Sequence, residues 1–139
     1  MTAASVTPRV RIMVICDEGS PSDTEEGVFT LEGVRQHVLA PTFPYFRDLN
    51  LFLLLSNPRQ GEYDGWVRVV DNQSGKVIRY VPFIAKFEKD YDALPAVLEV
   101  RNCRFRQEGE HTFEIWFKAP NGQDVLKGEL PFHVLANEE

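Results

Sequence analysis

The sequence predicts an all-β chain folded as a single-domain antiparallel two-sheet sandwich of immunoglobulin-like, Greek-key type with about eight strands. Three observations carry that prediction. Apolar residues recur two apart through the last third of the chain, in Phe113, Ile115 and Phe117 and again in Leu126, Leu130, Phe132 and Val134. Turn residues punctuate the chain roughly every 8–12 positions, a spacing of short strands. No segment sustains a helical period long enough to compete. A closed barrel of the same strand number is the main rival.

Val10–Cys16 opens the series with small or β-branched residues at even positions. Asp17–Glu26, rich in Ser, Asp and Glu and holding Pro21, reads as a solvated loop. Val28–Leu31 and Val34–Leu39 follow, parted by Gly33; Leu31, Val34 and Val38 would also suit one or two helical turns. Pro41 and Pro44 bar a helix from Ala40 to Phe46, because each biases its predecessor toward extended geometry. Leu49–Ser56 is nearly continuously apolar, which predicts a central strand covered on both faces. Tyr63–Val70 stops at the turn Asp71–Gly75, and Lys76–Phe87 resumes with Pro82 inside it, the mark of an edge strand. Leu94–Phe105 is the next strand. The last two strands form a hairpin: with Asn121-Gly122 as its two-residue turn, Phe117 faces Leu126, Ile115 faces Gly128, and Trp116 faces Lys127 on the opposite side.

The chain's 139 residues are the size of one domain, 1–139, with the folded core at about residues 8–136 between short polar tails. The net charge of -6 repels phosphate backbones and anionic lipid surfaces, so neither nucleic acid nor membrane is the expected partner. No apolar run approaches the roughly 20 residues of a membrane helix. Met1–Thr7 lacks the charged and apolar regions of a signal peptide, and two distant cysteines, Cys16 and Cys103, fit reduced buried thiols; the expectation is a cytoplasmic protein.

Certain segments carry a resemblance. Met13–Glu18, Gly27–Val34 and Thr42-Phe43-Pro44 near the start, then Gly61-Glu62-Tyr63, Val69-Val70-Asp71, Gly109–Glu114 and Pro131–Val134, make the chain similar to an uncharacterised bacterial family of small all-β proteins. The likeness spans roughly residues 9–135 and consists of turns and core aromatics. It implies the fold and brings no catalytic residue with it.

Candidate chemistry is sparse. His37, His111 and His133 lie on separate segments, without HxH or HExxH spacing, and neither cysteine has a CxxC partner, so no metal or catalytic residue is assigned. Glycine-rich phosphate-loop spacing is missing as well. Arg101, Arg104 and Arg106 read as solvated, salt-bridged cations. What remains is a non-enzymatic protein-interaction or assembly module without cofactor, binding a second copy as a homodimer or another protein. Trp116, Lys127, Phe43, Tyr45 and Phe46 are the expected contact residues, with a Trp116–Lys127 cation–π pair of about 0.5–1 kcal/mol. The alternative is a calcium- or carbohydrate-binding module using loops at one end of the sandwich, for which Asp17, Glu18, Asp23, Glu25 and Glu26 supply an acidic cluster.

Overall fold

A computed structural model describes residues 7–137. The expected tails at 1–6 and 138–139 lie outside the described residues, whereas Thr7 is buried. The chain is all-β. Among the described residues ten strands run in the order β1 (Arg9–Cys16), β2 (Glu18–Pro21), β3 (Phe29–Glu32), β4 (His37–Ala40), β5 (Tyr45–Asn57), β6 (Gly61–Asp71), β7 (Val77–Phe87), β8 (Asp92–Phe105), β9 (Gly109–Lys118) and β10 (Asp124–Ala136). The sequence expectation of about eight falls short because the acidic loop contains β2, which pairs with β3 as a two-stranded ribbon. None of the described residues forms a helix long and apolar enough to cross a membrane.

Two larger sheets enclose one core. A three-stranded sheet has the order β1-β5-β8, and a five-stranded sheet has the order β4-β10-β9-β6-β7. No ladder joins them among the described residues, so the rival closed barrel is not formed. Period-two alternation builds the core from both sides. Leu49, Leu51, Leu53 and Leu55 of β5 face Val67 and Val69 of β6, Phe113, Ile115 and Phe117 of β9, and Phe132 and Val134 of β10. The aromatic rings meet at angles: Phe105 and Phe132 are edge to face at 6.0 Å, and Phe83 and Phe117 at 5.6 Å. Gly65 is small for a reason of space, since a Cβ there would come within 2.8 Å of the Phe83 and Phe117 rings.

β5 is central, as its apolar run predicts, and its second face is also covered. The β2–β3 ribbon lies over it, with Phe29 and Phe52 rings 5.5 Å apart and Gly19 close against Val97. β7 is an edge strand, as Pro82 predicts, and β8 is the edge of the other sheet. The two edges run beside each other; Arg79 Nε donates to the Arg101 carbonyl at 2.6 Å. They therefore partly shield one another.

Two details depart from the sequence expectation. β4 pairs with β10 in parallel, His37 opposite His133, because β4 arrives by a crossover from the ribbon. The tip of the last hairpin is also shifted. Gly122 N–H donates to the Ala119 carbonyl at 2.8 Å and Ala119 N–H to the Gln123 carbonyl at 2.8 Å, which makes Pro120-Asn121 the centre of the turn and Gly122, at φ 88°, its left-handed residue. Proline presets the backbone for the first central position of such a turn. Phe117 therefore faces Val125 and Trp116 faces Leu126. A bulge at Lys127 absorbs the extra residue, so Ile115 still faces Gly128 and Phe113 still faces Leu130. The core register survives, and the expected Trp116–Lys127 pair does not form.

Candidate functional site

The outer face of the five-stranded sheet is the candidate site. Its central row follows from the ladder: Pro82 pairs with Trp66, Trp66 with Trp116, and Trp116 with Leu126, so four apolar side chains cross β7, β6, β9 and β10 in line. Inward neighbours Gly65, Val67, Ile115 and Phe117 are buried, which forces the tryptophans outward. Both are half-buried, and among the described residues no further layer covers them. Their rings are parallel within 4°, with centroids 6.4 Å apart, and Trp66 also lies 6.4 Å from the Tyr80 ring. Tyr80, Ile84 and Leu126 expose 51%, 64% and 37% of their surfaces. For one sheet face to carry so many large apolar groups is unusual in a solvated surface. A shallow groove of about 620 Å³ runs along it between Trp66, Tyr80, Pro82, Ile84 and Lys118.

Charged side chains rim this row. Arg68 lies over the Trp116 ring, its guanidinium carbon 5.2 Å from the centroid, and it takes the cation–π role expected of Lys127. Trp116 Nε1–H donates to Glu114 Oε1 at 2.9 Å, and Arg68 Nε sits 3.1 Å from the same oxygen. That second contact is an ion pair without hydrogen-bond alignment, since Arg68 Nε has no hydrogen-bond partner. Asp64 and Lys118 lie one residue beyond Gly65–Phe117, the end pair of that ladder, and both line the groove; Asp124 pairs with Lys118.

The remaining expected contact residues lie elsewhere. Lys127 is half-buried at the bulge; burial pushes its ammonium pKa down, and the positive charge of Arg9 pushes it further. Phe43 and Tyr45 pack against the core and offer little surface. Phe46 is 55% exposed, but it belongs to the other sheet, with the Arg104 guanidinium 5.7 Å from its ring. Only Trp116 falls on the apolar row. Trp66, Tyr80, Pro82, Ile84 and Leu126 were missed. One signal could have found the tryptophans: each occupies the polar phase of its strand, Trp66 between Asp64 and Arg68, Trp116 between Glu114 and Lys118.

Other polar features are already satisfied or dispersed. A groove of about 510 Å³ runs past Asp48, Asn50 and Glu99, but Asp48 accepts from Asn102 N–H, Asn50 donates to the Asp17 carbonyl, and Glu99 pairs with Arg101. His37 and His133 are brought opposite each other, with Glu110 opposite His133. Even so, no group of three or more His, Cys, Asp or Glu among the described residues is placed to hold a metal ion. His111 is enclosed by Phe105 and Phe132, with Nδ1 3.0 Å from the Gly109 carbonyl. Cys16 and Cys103 are free and buried. Burial pushes the Cys103 thiol up to about 12, far from a nucleophile's range.

No family model matches the chain, and no curated protein matches it. Among solved structures it is similar to the PmoD soluble domain from Methylocystis sp. ATCC 49242 (Rockwell), at TM-score 0.46 and 10% identity, covering 96% of this chain and 99% of that one. It is similar to CopC from Methylosinus trichosporium OB3b at TM-score 0.40 and 14% identity, covering 96% and 98%. A Niemann-Pick type C2 protein from Japanese carpenter ant gives TM-score 0.47 and 9% identity, covering 97% and 96%. At these scores the likenesses carry no argument about function.

Proposed function

We propose that this chain is a non-enzymatic protein-interaction or assembly module, a cytoplasmic sandwich of immunoglobulin-like, Greek-key type, whose partner docks on the outer face of the five-stranded sheet. The observation that carries the reading is the Pro82–Trp66–Trp116–Leu126 row, apolar across four strands and left without a covering layer among the described residues. The same molecule covers part of the outer face of its other sheet, around Phe52 and Val97, with the β2–β3 ribbon. Aromatic side chains in a polar rim are what protein interfaces concentrate at their centres.

The carbohydrate alternative fits less well. Sugar rings stack on free aromatic faces, and the Trp116 π-face is already shared between Trp66 and the Arg68 guanidinium. A calcium site would need six or more oxygen ligands; Asp17 of the acidic cluster holds two arginines, and among the described residues no three His, Cys, Asp or Glu side chains are placed to hold a metal ion.

The test is a charge placed in the row's border. Immobilised chain is expected to retain its protein partner, and Tyr80→Glu to lose that retention by about tenfold or more, since a buried unpaired carboxylate costs more than 1.4 kcal/mol. Equal retention by both proteins counts against the reading.

A further inference from the structure

The outer face is complementary to itself. It has three rows, each crossing β7, β6, β9 and β10 in that order. The first reads Ile84, Asp64, Lys118, Asp124; the second Pro82, Trp66, Trp116, Leu126; the third Tyr80, Arg68, Glu114, Glu129. In an isologous dimer, residue i meets residue j and j meets i. A two-fold axis lying parallel to the strands, midway between β6 and β9, exchanges β6 with β9 and β7 with β10.

Under that axis every central position meets a suitable counterpart. Asp64 meets Lys118 of the partner subunit, and Arg68 meets Glu114 of the partner subunit. Trp66 meets Trp116 of the partner subunit, and Pro82 meets Leu126 of the partner subunit. The Tyr80 hydroxyl meets Glu129 of the partner subunit, a donor against an acceptor. The exception is a corner, where Ile84 meets Asp124 of the partner subunit at the rim. The other in-plane axis, across the strands, pairs Asp64 with Arg68 but sets Asp124 against Glu129 of the partner subunit. Like charges facing each other oppose docking. The strand-parallel axis brings no two like charges together.

Resting on the reading that this face is the docking surface, we propose that its partner is a second copy of this chain, bound face to face about a two-fold axis parallel to β6 and β9. Four strands and three rows cover roughly 20 by 20 Å from strand spacing and rise. That footprint is at the small end of specific interfaces, so self-association is expected to be weak and to depend on concentration.

The geometry makes an unusual mixing prediction. Asp64→Lys sets an introduced ammonium against Lys118 of the partner subunit at both symmetric contacts. Lys118→Asp sets an introduced carboxylate against Asp64 of the partner subunit in the same way. Each variant alone is therefore expected to lose about tenfold or more in self-association by sedimentation. An equimolar mixture restores both opposite-charge pairs in a heterodimer, and association returns to the native level. Asp64 and Lys118 are both exposed, so neither variant disturbs the core. A native chain that stays monomeric up to millimolar concentration overturns the homodimer, while Tyr80→Glu retention still decides whether the face binds another protein. A native dimer that the mixture fails to rescue overturns the axis. A native dimer indifferent to Tyr80→Glu overturns both this inference and the docking face.

Discussion

Phe113→Ala is expected to destabilise the protein by about 3–5 kcal/mol, the range for deleting a buried aromatic ring. Phe113 has no exposed surface, and its ring centroid lies 5.0 Å from that of Phe132 on the neighbouring strand. It also stands in the middle of β9, with Val69 on one side and Leu130 on the other. The surrounding rings are held edge to face and cannot collapse into the space without giving up those contacts. Urea unfolding followed by circular dichroism will show the loss as a lower midpoint with little change in slope. Tyr80→Glu, on the outer face, should stay within about 0.5 kcal/mol of the native stability. If the two substitutions cost the same, the assignment of inner and outer faces is wrong.

Asp17→Asn comes second, with an expected cost of roughly 2–3 kcal/mol from the loss of charge-assisted hydrogen bonds. Asp17 sits where the chain leaves β1 for the ribbon. Its Oδ1 accepts from Arg35 Nε at 2.5 Å and Arg47 Nη2 at 2.8 Å, and its Oδ2 accepts from Arg35 Nη2 at 2.8 Å. Its backbone N–H donates to the Glu32 carbonyl, and its carbonyl accepts from Asn50 at 2.6 Å. Gly33 passes so close to the carboxylate, at φ 66°, that a side chain there would collide with it. The carboxylate thus ties the end of β1 to β4's lead-in and to β5, while the Asp17 backbone holds the ribbon and Asn50.

The same residue sets an acid limb on stability. The Arg35 hydrogen bonds, opposed by burial and aided by Arg47, hold the Asp17 carboxyl below its ordinary value. Asp71 is also lowered: burial alone would raise it, but Gln107 and the backbone N–H groups of Gln73 and Ser74 outweigh that. A carboxyl depressed on folding stabilises the native state above its unfolded pKa of about 3.9 and loses that contribution as pH falls toward the folded value. Native stability should therefore be level above about pH 5 from this source and fall below about pH 4. Asp17→Asn should flatten that fall, and an unchanged acid limb would show that the carboxylate contributes nothing specific.

How legible the site was depends on parity. Trp116 was readable as an outward residue from Phe113, Ile115 and Phe117, and Pro82 marked β7 as an edge; both follow from single-strand chemistry. The neighbour of Trp116 was not readable. Lys127 was assigned to it because Asn121-Gly122 suggested a two-residue turn, whereas Pro120 starts the turn one residue earlier and a bulge repairs the register. Phe43 and Tyr45, expected among the contact residues, are half-buried and pack against the core, a placement that depends on distant strands.

The chain's own order of residues determined its all-β character, the inward phase of the last hairpin and the central place of Leu49–Ser56, because alternation and turn chemistry act within a strand and its nearest neighbours. Tertiary structure alone decided that β6 lies between β7 and β9, that Trp66 stands beside Trp116, and that β4 joins β10 in parallel. Those pairings are made between segments far apart in sequence, where no local preference names the partner. They are won by whichever arrangement buries the inner face of each strand against one shared core.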